Sequence, residues 1–123
     1  MRVLLSIKPE FAEKILNGAK RYEFRKQAFA QPVDAVVLYA TKPVGKIVGE
    51  FKLKAVHSGL PEQIWRQTAH YAGINKEFFD AYYKNSNKAY ALEVESVKRY
   101  AEPLEPTEYM TDFTAPQSYR YIP

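Results

Sequence analysis

Gly18-Ala19-Lys20-Arg21-Tyr22-Glu23-Phe24-Arg25 joins two kinds of periodicity within eight residues, and this junction decides the fold. Upstream, Phe11, Ile15 and Leu16 recur at helical spacing beside Ala12, and Lys8-Pro9-Glu10 supplies a helix start with proline in a permitted position. Asn17-Gly18 stops that helix. Downstream the period becomes two, which predicts a strand over Lys20–Arg25. Tyr22 and Phe24 then face a core, Arg21, Glu23 and Arg25 face the other way, and Lys20 sits at the helix-to-strand corner. A cation, a carboxylate and a second cation on one surface suit an anionic or hydrogen-bonding ligand.

Arg2–Ile7 is apolar enough for a central first strand, and Val33–Ala40 reads as the third. A turn-rich link, Thr41 to Lys46, leads into a long strand, Ile47–Val56, in which Gly49 marks a bulge or a close backbone approach. Two helices follow, Pro61–Tyr71 and Asn75–Tyr83, and then a strand over Lys88–Tyr100. Beyond Glu102 the prolines at 103, 106, 116 and 123 predict a tail that wraps the domain in extended form. The pattern by itself gives an α+β domain occupying residues 1–123, with one layer or a barrel.

The chain has 123 residues and a formal charge of +4, unevenly spread. Residues 1–60 hold 11 Lys/Arg against 5 Asp/Glu, whereas residues 61–123 hold 7 against 9. The positive half favours phosphate-bearing partners. Cysteine is absent, which excludes disulfides, thiolate metal sites and thiol nucleophiles. His57 and His70 stand 13 positions apart with nothing to complete a metal site, so no metal or cofactor is expected. The longest apolar run, Ala35–Ala40, is far short of the roughly 20 residues of a membrane helix. No signal peptide is legible at Met1–Ile7, so a cytoplasmic location is expected.

Gly18–Arg25 resembles the G-x-K-x-x-E-x-R signature of the ASCH domain (activating signal cointegrator homology), a branch of the PUA-like RNA-binding barrels. The resemblance extends over essentially the whole chain. It implies a small mixed β-barrel with a helix after the first strand and an αα-hairpin inserted before the last long strand. It also implies a basic cleft that holds RNA or a modified nucleotide, with Lys20, Glu23 and Arg25 at its centre. Lys8 would reach the cleft mouth from the end of the first strand. The closing stretch resembles the P-Q-S-aromatic-R-Y ending of small bacterial, archaeal and phage relatives. It adds Gln117, Ser118, Tyr119 and Arg120, side-chain types that read and stack bases in single-stranded RNA.

Two other functions compete with a binding module. One ASCH subgroup comprises amidohydrolases acting on an acetylated cytidine, in which a Lys-x-x-Thr motif supplies a lysine-activated hydroxyl. Here Lys20 matches, but Glu23 stands at the threonine position and cannot attack in the same way. A ribonuclease activity has been proposed for the family as well, and in any enzyme of this kind Lys20 and Glu23 are the catalytic candidates. The third function is transcriptional regulation, with residues 61–85 as a helix-turn-helix. The would-be recognition helix offers Lys76, Glu77, Asp80 and Lys84, balanced in charge, where a DNA-reading helix is basic. RNA or a nucleotide is therefore expected as partner ahead of duplex DNA. On this reading Phe78, Phe79 and Trp65 bury.

Overall fold

A computed structural model describes residues 1–123. Its centre is one six-stranded sheet: β1 (Arg2–Ile7), β2 (Tyr22–Arg25), β3 (Ala35–Ala40), β4 (Lys46–Gly59), β5 (Ala89–Leu104) and β6 (Tyr119–Ile122). The strand order is β2-β5-β4-β3-β1-β6, curled into a half-barrel. β1 and β3 pair in parallel, with Val3 opposite Val36, and all other neighbours are antiparallel. The parallel pair is connected through helix α1 (Pro9–Leu16) and β2.

α1 starts at Pro9, has Glu10 in its first turn and Lys14 in its last, and ends at Gly18 with φ +88°, a conformation glycine adopts at no steric cost. Ala12, Ile15 and Leu16 bury against Val3, Leu5, Val36, Leu38, Phe51 and Leu92. Gly49 permits this close approach. A Cβ there would lie 2.6 Å from the carbonyl oxygen of Lys98 and 2.9 Å from Leu16. The sheet register also shifts beside it, between Ile47 and Gly49. The sequence expectation of a bulge or close approach is met by both.

α2 (Pro61–Thr68), a 3₁₀ turn (Ala69–Tyr71) and α3 (Lys76–Tyr82) form the inserted helical pair. Asn75 caps α3, its side chain accepting from the Phe78 amide at 2.8 Å. Ile64, Ala72, Phe79 and Tyr83 build a second cluster with Phe24, Ala89 and Ala91, which fastens the pair to β2 and β5. α2 is three residues shorter than the sequence suggests, because the chain tightens into the 3₁₀ turn at Ala69.

The tail departs from its expected extended wrap. A short helix, α4 (Pro106–Tyr109), interrupts it, and its end becomes β6, paired to β1. Leu104, Tyr109, Met110 and Phe113 cover Leu4, Val37, Tyr39 and Ile47 on the outer face of the sheet. β1 is thus covered on both faces and hydrogen-bonded on both edges. Ser6 extends the β6 ladder, its amide donating to Ser118 O at 2.9 Å and its hydroxyl to Pro116 O at 2.6 Å. Removing the hydroxyl with Ser6→Ala is expected to cost about 1 kcal/mol in urea unfolding, the usual net worth of one such bond. No change in stability would mean that the tail is not held there. No helix is long and apolar enough to cross a membrane.

Candidate functional site

Lys20 lies deeper than its sequence suggests. The alternation puts it at the corner of an outward, charged surface, yet it is 1% exposed and lines the floor of a pocket. The reason is local. The strand begins only at Tyr22, and the Lys20 amide still donates to Lys14 O at 3.0 Å, so Lys20 belongs to the helix-ending turn rather than to the two-residue period. Glu23 is likewise buried: Phe24 takes the face of β2 that meets the helical pair, and Glu23 takes the other, beside its register partner Leu92 in the main core.

Three successive carbonyls of the interhelical turn receive this segment. Tyr71 O accepts from the Arg21 amide at 2.8 Å, Ala72 O from Lys20 Nζ at 2.6 Å, and Gly73 O from Lys14 Nζ at 3.0 Å. Gly73 has φ +70°, and a Cβ on it would fall 2.5–2.8 Å from Lys20 Cβ, Cγ and Cδ. The turn that reads as part of a helix-turn-helix is therefore the bed on which Lys20 lies.

The charged ends converge. Lys20 Nζ is 3.8 Å from Glu23 Oε1, and Arg25 Nη2 is 3.0 Å from Glu23 Oε2 and donates to Ser6 O at 2.8 Å. Lys20 Nζ also lies 4.7 Å from the ring centre of Phe24 and 5.4 Å from that of Phe11. Burial is the main force on its ammonium, lowering the pKa from 10.5 to about 8 against the opposing pull of Glu23. Arg25 Nε is buried without an acceptor. Two cations facing one carboxylate leave the floor with net positive charge and a spare donor, a combination that an anionic or carbonyl-bearing ligand would complete.

The pocket above this floor has a volume of about 250 Å³. Its walls include Ile7, Phe11, Phe24, Ile74, Phe78 and Tyr82, and Lys8 stands at its edge, 5.4 Å from the ring centre of Phe78. Phe78 is 39% exposed, against the expectation that it buries. Phe79 is fully buried, and Trp65, half-buried, packs against it. The helical pair therefore contributes a wall that sequence reasoning missed, although a signal was present. Ile74, Phe78 and Tyr82 recur every fourth residue, next to the stripe formed by Phe79 and Tyr83, and only one of two adjacent stripes can enter the core. On α3, Lys76 is engaged by Glu62 and Asp80.

Gln117, Ser118, Tyr119 and Arg120 do not line the pocket. Gln117, Ser118 and Arg120 are exposed, and Tyr119 packs edge-on against Phe29, ring centres 4.8 Å apart. β6 pairing carries them along β1, and their link to the pocket is indirect, through Ser6.

The sequence pattern of the ASCH domain matches residues 5–104. The chain belongs to the ASCH domain family. This ASCH domain is 33% identical over 122 residues to large ribosomal subunit protein uL22 of Ureaplasma parvum, matching 98% of this chain and 39% of that protein. It thus spans about two-fifths of the length of that relative. It is 28% identical over 126 residues to an ASCH domain-containing ribonuclease of Zymomonas mobilis, with 97% of this chain and 82% of that protein covered. The crystal structure of ASCH from Zymomonas mobilis superposes with a TM-score of 0.91 at 25% identity, covering 99% of this chain and 87% of that one. A tyrosine-to-phenylalanine variant of the same protein gives 0.91, 99% and 90%.

Proposed function

We propose that this ASCH domain binds single-stranded RNA and takes one unstacked base into the pocket over Lys20, Glu23 and Arg25, with the neighbouring phosphates at its mouth. The observation that carries this reading is a net positive, hydrogen-bonding floor beneath aromatic walls. Bases stack on aromatic rings irrespective of sequence, while their edges and phosphates seek donors. The Zymomonas relative, named a ribonuclease, supports RNA as the partner class.

Fluorescence anisotropy with short RNAs tests it. Phe78→Ala is expected to weaken binding by about 1–3 kcal/mol, the worth of one base–aromatic stack. Phe78 is 39% exposed, so its removal is expected to leave the fold intact, which urea unfolding of the variant checks. Binding is also expected to weaken with salt, since cationic contacts release counterions from phosphate. Salt-independent binding, or a Phe78→Ala variant that binds as tightly as the parent, would remove support for the pocket as the RNA site.

A second reading, hydrolysis of RNA, is favoured by one observation: an amine with a pKa of about 8 facing a carboxylate. Such a pair provides a base and an acid near neutral pH. RNA cleavage followed in the same samples separates the two, because turnover that vanishes with Lys20→Met would place the domain among the enzymes.

A further inference from the structure

We infer that the pocket accepts a nucleotide only as part of a continuing chain, with Lys8 and Lys26 holding the phosphates on its two sides. This rests on the RNA reading above and adds a residue, Lys26, that the signature does not mark. Lys20 and Arg25, the cations of the floor, are already engaged by Glu23 and by the Ala72 and Ser6 carbonyls. Beyond the floor's single excess charge, cations with no carboxylate partner stand around the pocket's walls. Lys8 Nζ sits 5.4 Å from the ring centre of Phe78 and 5.9 Å from that of Phe11. Lys26 Nζ sits 4.9 Å from the ring centre of Tyr82, another wall residue.

Both lysines are exposed, and neither has a carboxylate partner, whereas Lys46, Lys54 and Lys76 each do. A ring face positions an ammonium group without neutralising it, so each lysine keeps its charge for a ligand. The pocket, about 250 Å³, is smaller than the roughly 300–1,000 Å³ of sites for drug-sized ligands, which suits one base with its sugar and phosphates outside. A free nucleoside brings no phosphate to these lysines and a mononucleotide brings one. Only an internal nucleotide brings two.

The test uses a fluorescein-labelled RNA octamer in anisotropy titrations at several salt concentrations, with mononucleotides and nucleosides as competitors. Lys26→Ala and Lys8→Ala are each expected to weaken octamer binding about tenfold and to reduce the salt slope by about 0.7, the value for one phosphate contact on a single strand. Nucleosides and mononucleotides should fail to displace the octamer from the parent, and displacement by a nucleoside at concentrations comparable to the octamer would overturn the inference. Lys98→Ala, which removes an exposed lysine of β5, should change neither quantity. An unchanged affinity and slope in Lys26→Ala, or an equal loss in Lys98→Ala, would overturn the inference while leaving the RNA reading in place. Failure of the parent protein to bind the octamer at all would overturn both.

Discussion

Gly73→Ala is expected to destabilise the protein by about 2–4 kcal/mol, combining the cost of a left-handed conformation without glycine and the strain of overpacking. The added Cβ would stand 2.5 Å from Lys20 Cβ and 2.6 Å from Lys20 Cγ. Neither is the free end of a flexible chain, so either the turn or the β2 approach must shift. Any such shift pulls Lys20 Nζ from Ala72 O and weakens the three carbonyl contacts that tie the helical pair to α1 and to the corner between α1 and β2. Urea unfolding measures the first effect and RNA anisotropy the second. A loss below about 0.5 kcal/mol, the size of an ordinary surface change, would show that the turn is not packed on Lys20.

Ala72-Gly73 carries the same composition whether it joins two helices that read DNA or two that roof a pocket, and the partner that decides between them lies some fifty positions upstream. Local pattern does reach the elements themselves. β1, α1, β4 and β5 follow from alternation, proline placement and the Asn17-Gly18 stop, because each is fixed by its own burial. It also reaches Glu23 and Arg25, which really lie on a strand. The pattern misplaces Lys20 because the two-residue period holds only from Tyr22 onward. For the tail, composition pointed to base-reading chemistry, but Ser6 and β1 claim its backbone and Phe29 claims Tyr119. Edge pairing of that kind depends on an unfilled strand edge elsewhere in the sheet, which no window of the tail can reveal.

Lys20 supplies the largest pH effect expected of this protein. An ammonium whose pKa falls from 10.5 unfolded to about 8 folded opposes folding by roughly 3 kcal/mol at neutral pH. The folded form releases its proton near pH 8, while the unfolded chain keeps it to about 10.5. Between these values the unfolded state binds more protons, so stability rises with pH across that window and the opposition is fully present below it. Lys20→Met keeps most of the apolar stem that lies against Gly73 and removes the charge held near Phe11 and Phe24. At pH 7 it should be about as stable as the parent, since the roughly 3 kcal/mol of opposition offsets the about 1.5–3 kcal/mol lost with the bond to Ala72 O, and Arg25 still pairs Glu23. Between pH 8 and 10.5 the parent should gain about 3 kcal/mol on the variant. Tyr82, Tyr83 and Tyr100, whose hydroxyls burial holds above their usual range, titrate in both proteins and largely cancel in the difference. RNA binding should fall in Lys20→Met at every pH below 8, because the floor then balances Glu23 against Arg25 alone and its positive charge is gone. Parallel stability curves for the two proteins from pH 7 to 10.5 would mean that Lys20 is not held as a buried cation, and the pocket floor would lose the charge on which its proposed affinity for RNA depends.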